Sequence, residues 1–202
     1  MNPINNFKDI TIDGISYICP TWEQMGNFTF LLAKQILESE SRFDRIVALA
    51  KGGWTWARAL ADYLQITNLS STRLKSYDDI NQSSNVKVLQ PLSDPIDGEK
   101  ILIFDDVIDS GKTVAKAKEY MTILGCQEIS VASLCYKPRS SFTPDFFAFS
   151  TKAWVVFPHE YREFIIQSHS RWSATKVSLN EIKSRLIKIG LPPDQIDYFL
   201  HV

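Results

Sequence analysis

The chain has 202 residues, with 22 basic and 23 acidic side chains and a formal net charge of −1. That length suits one well-buried domain with a small appendage, and the charge balance excludes a protein that meets nucleic acid or an anionic membrane through its bulk electrostatic field. Cys19, Cys126 and Cys135 fit buried free thiols better than a disulfide framework, and there is neither a basic-then-apolar leader nor an apolar run near membrane-spanning length, so a soluble cytoplasmic protein is expected.

Thr21-Trp22-Glu23-Gln24 is a capping box for a helix that carries Phe28, Leu31, Leu32 and Ile36 on one face. Asp44 to Ala50 is a strand, and Trp54 to Leu64 the helix after it. Arg73 to Tyr77 is a second strand. The stretch from Asp78 to Asp97 is polar, contains Asn81-Gln82-Ser83-Ser84-Asn85 and two prolines, and predicts a long loop that is a lid or disordered. Lys100 to Asp105 is a third strand, entered through Asp97-Gly98; a helix from about Thr113 to Leu124 is stopped by Gly125, and Glu128 to Tyr136 is the fourth strand. Such alternation predicts an α/β fold, a parallel twisted sheet flanked by helices. From Ser178 the pattern changes: Ser178-Leu179-Asn180-Glu181 is a second capping box, Ile182, Leu186 and Ile189 lead to Gly190, and Pro192-Pro193 start a short helix to Leu200. Residues 1–170 therefore read as the main domain and 171–202 as a C-terminal helical extension, with packing or dimer contact as its role.

The chemistry concentrates between the third strand and its helix. Ser110-Gly111-Lys112-Thr113 would direct backbone N–H groups and two hydroxyls at one small volume, which suits an anion. Asp105 and Asp106 would end the strand at the carboxyl edge, where open α/β sheets bind ligands; paired carboxylates hold sugar hydroxyls or water on a magnesium ion. Asp109 follows one turn on. A Walker A loop is excluded, since the place of its first glycine is held by Asp106. Ala50-Lys51-Gly52-Gly53 forms a similar turn after the first strand, where two glycines let backbone approach a ligand closely.

The run Ile103-Phe104-Asp105-Asp106-Val107-Ile108-Asp109-Ser110-Gly111-Lys112-Thr113 resembles the phosphoribosyl pyrophosphate motif of type I phosphoribosyltransferases, and most closely those acting on 6-oxopurines. The resemblance covers about residues 15 to 165, and it implies that fold with a small hood. It makes Asp105 and Asp106 ribose ligands, with Mg2+ beside them directly or through water. Ser110, Gly111, Lys112 and Thr113 become the 5-phosphate loop, and Asp109 the general base near the purine N7. It further implies that Lys51, Gly52 and Gly53 bind pyrophosphate, often behind a non-proline cis peptide. Ser76 and Tyr77 would head a closing lid. Lys137 would meet the purine O6 while Trp154 stacks on the ring and the backbone of Val155 reads its edge; His159, Glu160 and Arg162 are weaker candidates for a metal-linked water or pyrophosphate contact. A lysine at O6 disfavours adenine, whose 6-amino group is itself a donor.

The implied activity is purine salvage, in which phosphoribosyl pyrophosphate and hypoxanthine, guanine or xanthine give the nucleotide and pyrophosphate. A homodimer is implied as well, with no nucleic-acid or membrane partner. A second reading keeps the fold and makes the chain a regulator that senses phosphoribosyl pyrophosphate and binds a partner or nucleic acid. Against it, the tail Ser178 to Val202 holds only Lys183, Arg185 and Lys188 as basic residues. A third reading, with a pyrimidine or another nitrogen base as acceptor, is disfavoured by Lys137 with Trp154.

Overall fold

The computed structural model describes residues 7–76 and 86–201. In chain order the elements are β1 (Ile10–Ile12), β2 (Ile15–Ile18), α1 (Trp22–Glu38), β3 (Arg45–Leu49), α2 (Gly52–Leu64), β4 (Asn68–Ser76), β5 (Val86–Gln90), β6 (Lys100–Ile108), α3 (Lys112–Ile123), β7 (Glu128–Tyr136), β8 (Phe146–Ser150), β9 (Trp154–Val155), a 3-10 turn (Pro158–Glu160), α4 (Tyr161–Ala174), α5 (Leu179–Ile189) and α6 (Pro193–His201). They form two compact units. One is made of residues 25–151, and the other joins the chain up to Gln24 with the chain from Lys152 onward.

The larger unit is built on a sheet of order β5-β4-β3-β6-β7-β8 among the described residues. Only the β4–β5 pair is antiparallel; β3 with β4, β3 with β6, β6 with β7 and β7 with β8 are parallel. Strands covered on both faces need apolar side chains at consecutive positions. Every residue of Arg45–Leu49 is accordingly buried, as are Ile101 to Phe104. The face under α3 packs Val47, Leu49, Ile101, Ile103 and Val131 against Val114, Ala117 and Met121. Burying each such side chain stabilises the fold by about 1.5–3 kcal/mol.

The smaller unit holds a three-stranded sheet of order β1-β2-β9. Its core joins Ile10 and Ile12 of β1 to Ile165 and Trp172 of α4, Ile182 and Leu186 of α5, and Ile196 of α6. The C-terminal hairpin is thus part of this unit's core, and the boundary expected after residue 170 falls within α4. Its stop signals are in place. Ser178 Oγ accepts the Glu181 N–H, and Gly190 closes α5 at φ +116°, a left-handed conformation that glycine adopts without penalty. The first capping box is reciprocal: Thr21 N–H donates to Gln24 Oε1 at 2.8 Å, and Gln24 N–H donates to Thr21 Oγ1 at 3.2 Å.

Two expectations need correction. The stretch from Asp78 to Asp97 is not all loop, because Val86–Gln90 pairs antiparallel with β4 and Ile96 is a fully buried core residue. The Asn/Ser block before Val86 hid a five-residue strand. Its neighbours are pinned too, since Leu92 N–H donates to the Tyr120 hydroxyl and Gly98 N–H to the Gly125 carbonyl. Residues 77–85, the rest of the expected lid, lie outside the described residues. Secondly, β6 runs on past Asp105 to Ile108, pairing Val107 with Cys135 and Ile108 with Tyr136. Among the described residues no helix is long and apolar enough to cross a membrane.

Candidate functional site

Strands β3 and β6 lie side by side at the middle of the sheet, yet β3 continues through α2 to β4 on one side and β6 through α3 to β7 on the other. Where strand order reverses in this way, the outgoing loops part and leave a crevice at the carboxyl edge. The turn after β3 and the turn after β6 both open on that crevice.

The first of these begins with a cis peptide between Ala50 and Lys51. Lys51 is exposed at the N-cap of α2. Gly52 and Gly53 lie against β6 so closely that no side chain fits: a Cβ on Gly52 would come within 2.6 Å of the Asp106 Cγ, and one on Gly53 within 2.7 Å of the Phe104 carbonyl oxygen. Backbone therefore stands directly beside the acid pair.

Asp105 is half-buried and Asp106 is 4% exposed. Both sit inside the extended β6 rather than at its end, and Asp106 N–H donates to Asp105 Oδ1 at 3.1 Å. The turn that follows carries Gly111 at φ +82°, the N-cap of α3. A Cβ there would meet Phe142 Cβ at 2.7 Å and Ser140 Oγ at 2.8 Å, so shape and backbone conformation both require glycine. Helix α3 starts without a side-chain cap, which suits an anion at its first turn. Ser110 Oγ accepts the Lys112 N–H at 3.4 Å, and Thr113 is half-buried.

Arg139, which the sequence reading passed over, binds Asp109. Its Nε and Nη2 donate to the same carboxylate oxygen, Oδ1, at 3.1 and 2.6 Å. The turn that carries Arg139 is tied to the turn after β6, since the Ser141 N–H and hydroxyl donate to the Ser110 carbonyl at 3.2 and 2.9 Å. No motif announces this turn; only the folded chain brings 139–142 onto 109–111.

Lys137 closes β7 and is 6% exposed, with its N–H on the Ile108 carbonyl. Burial pushes its ammonium below the ordinary lysine value, while Cys135 and Asp109 pull it back up. Burial also pushes the Cys135 thiol up to about 12, keeping it neutral. The two units divide the remaining candidates. Lys137 belongs to the larger, Trp154 and Val155 to the smaller, where they pair with Tyr17 and Ile18 of β2. Trp154 is 55% exposed, so it is no core residue; Val155 is buried. His159 and Glu160 lie in the 3-10 turn and Arg162 in the first turn of α4. Ser76 is the last residue of β4, and Tyr77 lies outside the described residues.

Comparison with known proteins gives these arrangements a context. The phosphoribosyl transferase domain model matches residues 30–163. The chain is 31% identical over 140 residues to a xanthine-guanine phosphoribosyltransferase of Nitratidesulfovibrio vulgaris, covering 68% of this chain and 81% of that one. It is 32% identical over 152 residues to the human hypoxanthine-guanine phosphoribosyltransferase, covering 66% and 69% respectively. Among solved structures, a purine phosphoribosyltransferase from Pyrococcus horikoshii superposes with a TM-score of 0.63 at 33% identity, over 70% of this chain and 93% of that one.

Proposed function

The chain belongs to the phosphoribosyl transferase domain family, and from that premise we propose that it makes purine nucleoside monophosphates by moving phosphoribosyl from phosphoribosyl pyrophosphate to N9 of a 6-oxopurine. The observation that supports the reading is the close approach of Gly52 to Asp106, which sets the turn after β3 against the acid pair of β6 at the strand-order reversal.

In this reaction the bond from the anomeric carbon to pyrophosphate breaks as the bond to N9 forms. Positive charge builds on the sugar and negative charge on the leaving group. Ser110, Gly111, Lys112 and Thr113, at the start of α3, hold the 5-phosphate and fix the sugar in place, which converts binding into orientation of the reacting carbon. Asp105 and Asp106 accept from ribose hydroxyls. Lys51 and the Gly52 and Gly53 backbone meet the pyrophosphate. Asp109 accepts the proton that the purine sheds, at N7, while Lys137 donates to O6. Trp154 offers an exposed ring of the kind that stacks on a base.

Two adjacent carboxylates are a hard oxygen donor set of the kind Mg2+ takes. Asp105 and Asp106 would hold the ion directly or through water, and when bound it neutralises charge on the leaving pyrophosphate. The three free cysteines suit a cytoplasmic setting.

The purified protein should release pyrophosphate and form the nucleotide when given phosphoribosyl pyrophosphate, magnesium and hypoxanthine, guanine or xanthine. Adenine should be a poor acceptor. Absence of product with all three 6-oxopurines would remove the proposal.

A further inference from the structure

We propose that Arg139 is the positioning residue of this site: it holds the Asp109 carboxylate by one oxygen so that the other is presented to the proton leaving the purine. The inference rests on the transferase reading above and deepens it.

The geometry is specific. Both guanidinium donors, Nε at 3.1 Å and Nη2 at 2.6 Å, converge on Oδ1. Among the described residues no hydrogen bond reaches Asp109 Oδ2. A side-on pairing would engage both oxygens; this one leaves Oδ2 outside the arginine's hydrogen bonds. Arg139 itself sits on a braced support. Ser140 N–H donates to the Lys137 carbonyl at 2.9 Å, Ser141 grips the Ser110 carbonyl with its N–H and its hydroxyl, and the absent Cβ of Gly111 is filled by Ser140 and Phe142. The turn that fixes the phosphate loop is therefore also the turn that fixes the base, and a single short segment couples sugar anchoring to proton acceptance.

The pair is open to solvent, with the Arg139 side chain 71% and that of Asp109 51% exposed. Exposed ion pairs contribute little to stability, so loss of Arg139 leaves the fold intact and its effect appears in turnover. Sequence position also sets it apart from Lys137, two residues earlier, whose ammonium is buried.

The test is steady-state kinetics on the full chain with phosphoribosyl pyrophosphate, magnesium and hypoxanthine, comparing wild type, Arg139→Ala, Arg139→Lys, Asp109→Asn and the Arg139→Ala/Asp109→Asn double variant, with melting curves for each. Arg139→Ala should lower kcat about 10- to 100-fold while KM for both substrates stays within about twofold. Arg139→Lys, which keeps a cation but not the two-donor fork, should recover part of the loss. In the Asp109→Asn background, removing Arg139 should change kcat less than twofold. An Arg139→Ala enzyme with unchanged kcat, a loss confined to KM, or an equal loss in both backgrounds would overturn the positioning role while leaving the transferase reading standing. A wild-type protein inert toward every 6-oxopurine would instead strike the transferase reading and, with it, this proposal.

Discussion

Gly52 lies against the Asp106 carboxylate with no room for a methyl group between them. The two residues lie 54 positions apart in sequence, Gly52 opening α2 and Asp106 inside β6, and glycine at 52 is what lets the turn after β3 close onto β6. Replacing it by alanine must push Asp106 aside or lift the turn. Overpacking of this kind costs about 1–3 kcal/mol. Gly52→Ala is therefore expected to lower the melting temperature by several degrees and, on the proposed assignment of these residues, to raise KM for phosphoribosyl pyrophosphate. A melt and an activity curve matching wild type would show that the loops do not share this contact.

Asp109 and Asp105 should separate cleanly in kinetics. Removing a positioned proton acceptor lowers turnover by about 10²- to 10⁴-fold, so Asp109→Ala should lose kcat with its affinity for phosphoribosyl pyrophosphate nearly kept. Asp105→Ala should lose binding first. Isothermal titration with phosphoribosyl pyrophosphate, alongside turnover, distinguishes them. If Asp109→Ala retains wild-type kcat, the acid opening the phosphate loop is not the base.

Lys137 gives two pH dependences of opposite sign. Its ammonium is held below the ordinary lysine value of 10.5, chiefly by burial, so across the window between the lowered native value and 10.5 the unfolded chain binds more protons than the native one. Stability contributed by this group therefore rises with pH through that window, and Lys137→Met should flatten the rise. On the proposed contact with the purine O6, use of a 6-oxopurine needs the charged form, so kcat/KM for hypoxanthine should fall as pH climbs through the same lowered value. Denaturant melts and kinetics on wild type and Lys137→Met check both slopes. Parallel slopes in the two proteins would take Lys137 out of the site.

How far these relationships were readable beforehand depends on whether the signal is local. The run from Ile103 to Thr113 carries its strand, carboxylates and turn in consecutive residues, so the turn between β6 and α3 was legible. Both capping boxes are four-residue signals: the first formed reciprocally, and the second supplied the Ser178 cap of α5. Arg139 was not legible, because Lys137-Pro138-Arg139 is an unremarkable tripeptide until the parallel pairing of β6 and β7 sets its turn beside Asp109. Helix α4 was missed for another reason: its buried stripe of Tyr161, Ile165, Ser168 and Trp172 is interrupted by a serine, which weakens the apolar period. β5 was hidden by composition, since the polar block before Val86 outweighed five residues whose period-2 pattern is broken at Leu89.

The C-terminal hairpin offers a test that leaves the chemistry alone. Ser178 caps α5 by accepting the Glu181 N–H, and the helix it starts places Ile182, Leu186 and Ile189 into the core formed with β1, α4 and α6. Losing a serine cap costs about 1 kcal/mol. For a chain of this length that corresponds to roughly 2–4 °C in melting temperature. Ser178→Ala should show that loss with kcat unchanged, while Ser178→Asp, which keeps an acceptor and adds negative charge at a helix N-terminus, should restore wild-type stability. Arg185 provides the companion measurement. It pairs with Asp13 and Glu181 and lies over the Trp172 ring at 5.4 Å, so Arg185→Ala removes both ionic partners and a stacking contact from the same unit. If Ser178→Ala and Arg185→Ala melted as wild type, the hairpin would be an appendage with its own weak fold. A lowered melt in both is what a shared core demands.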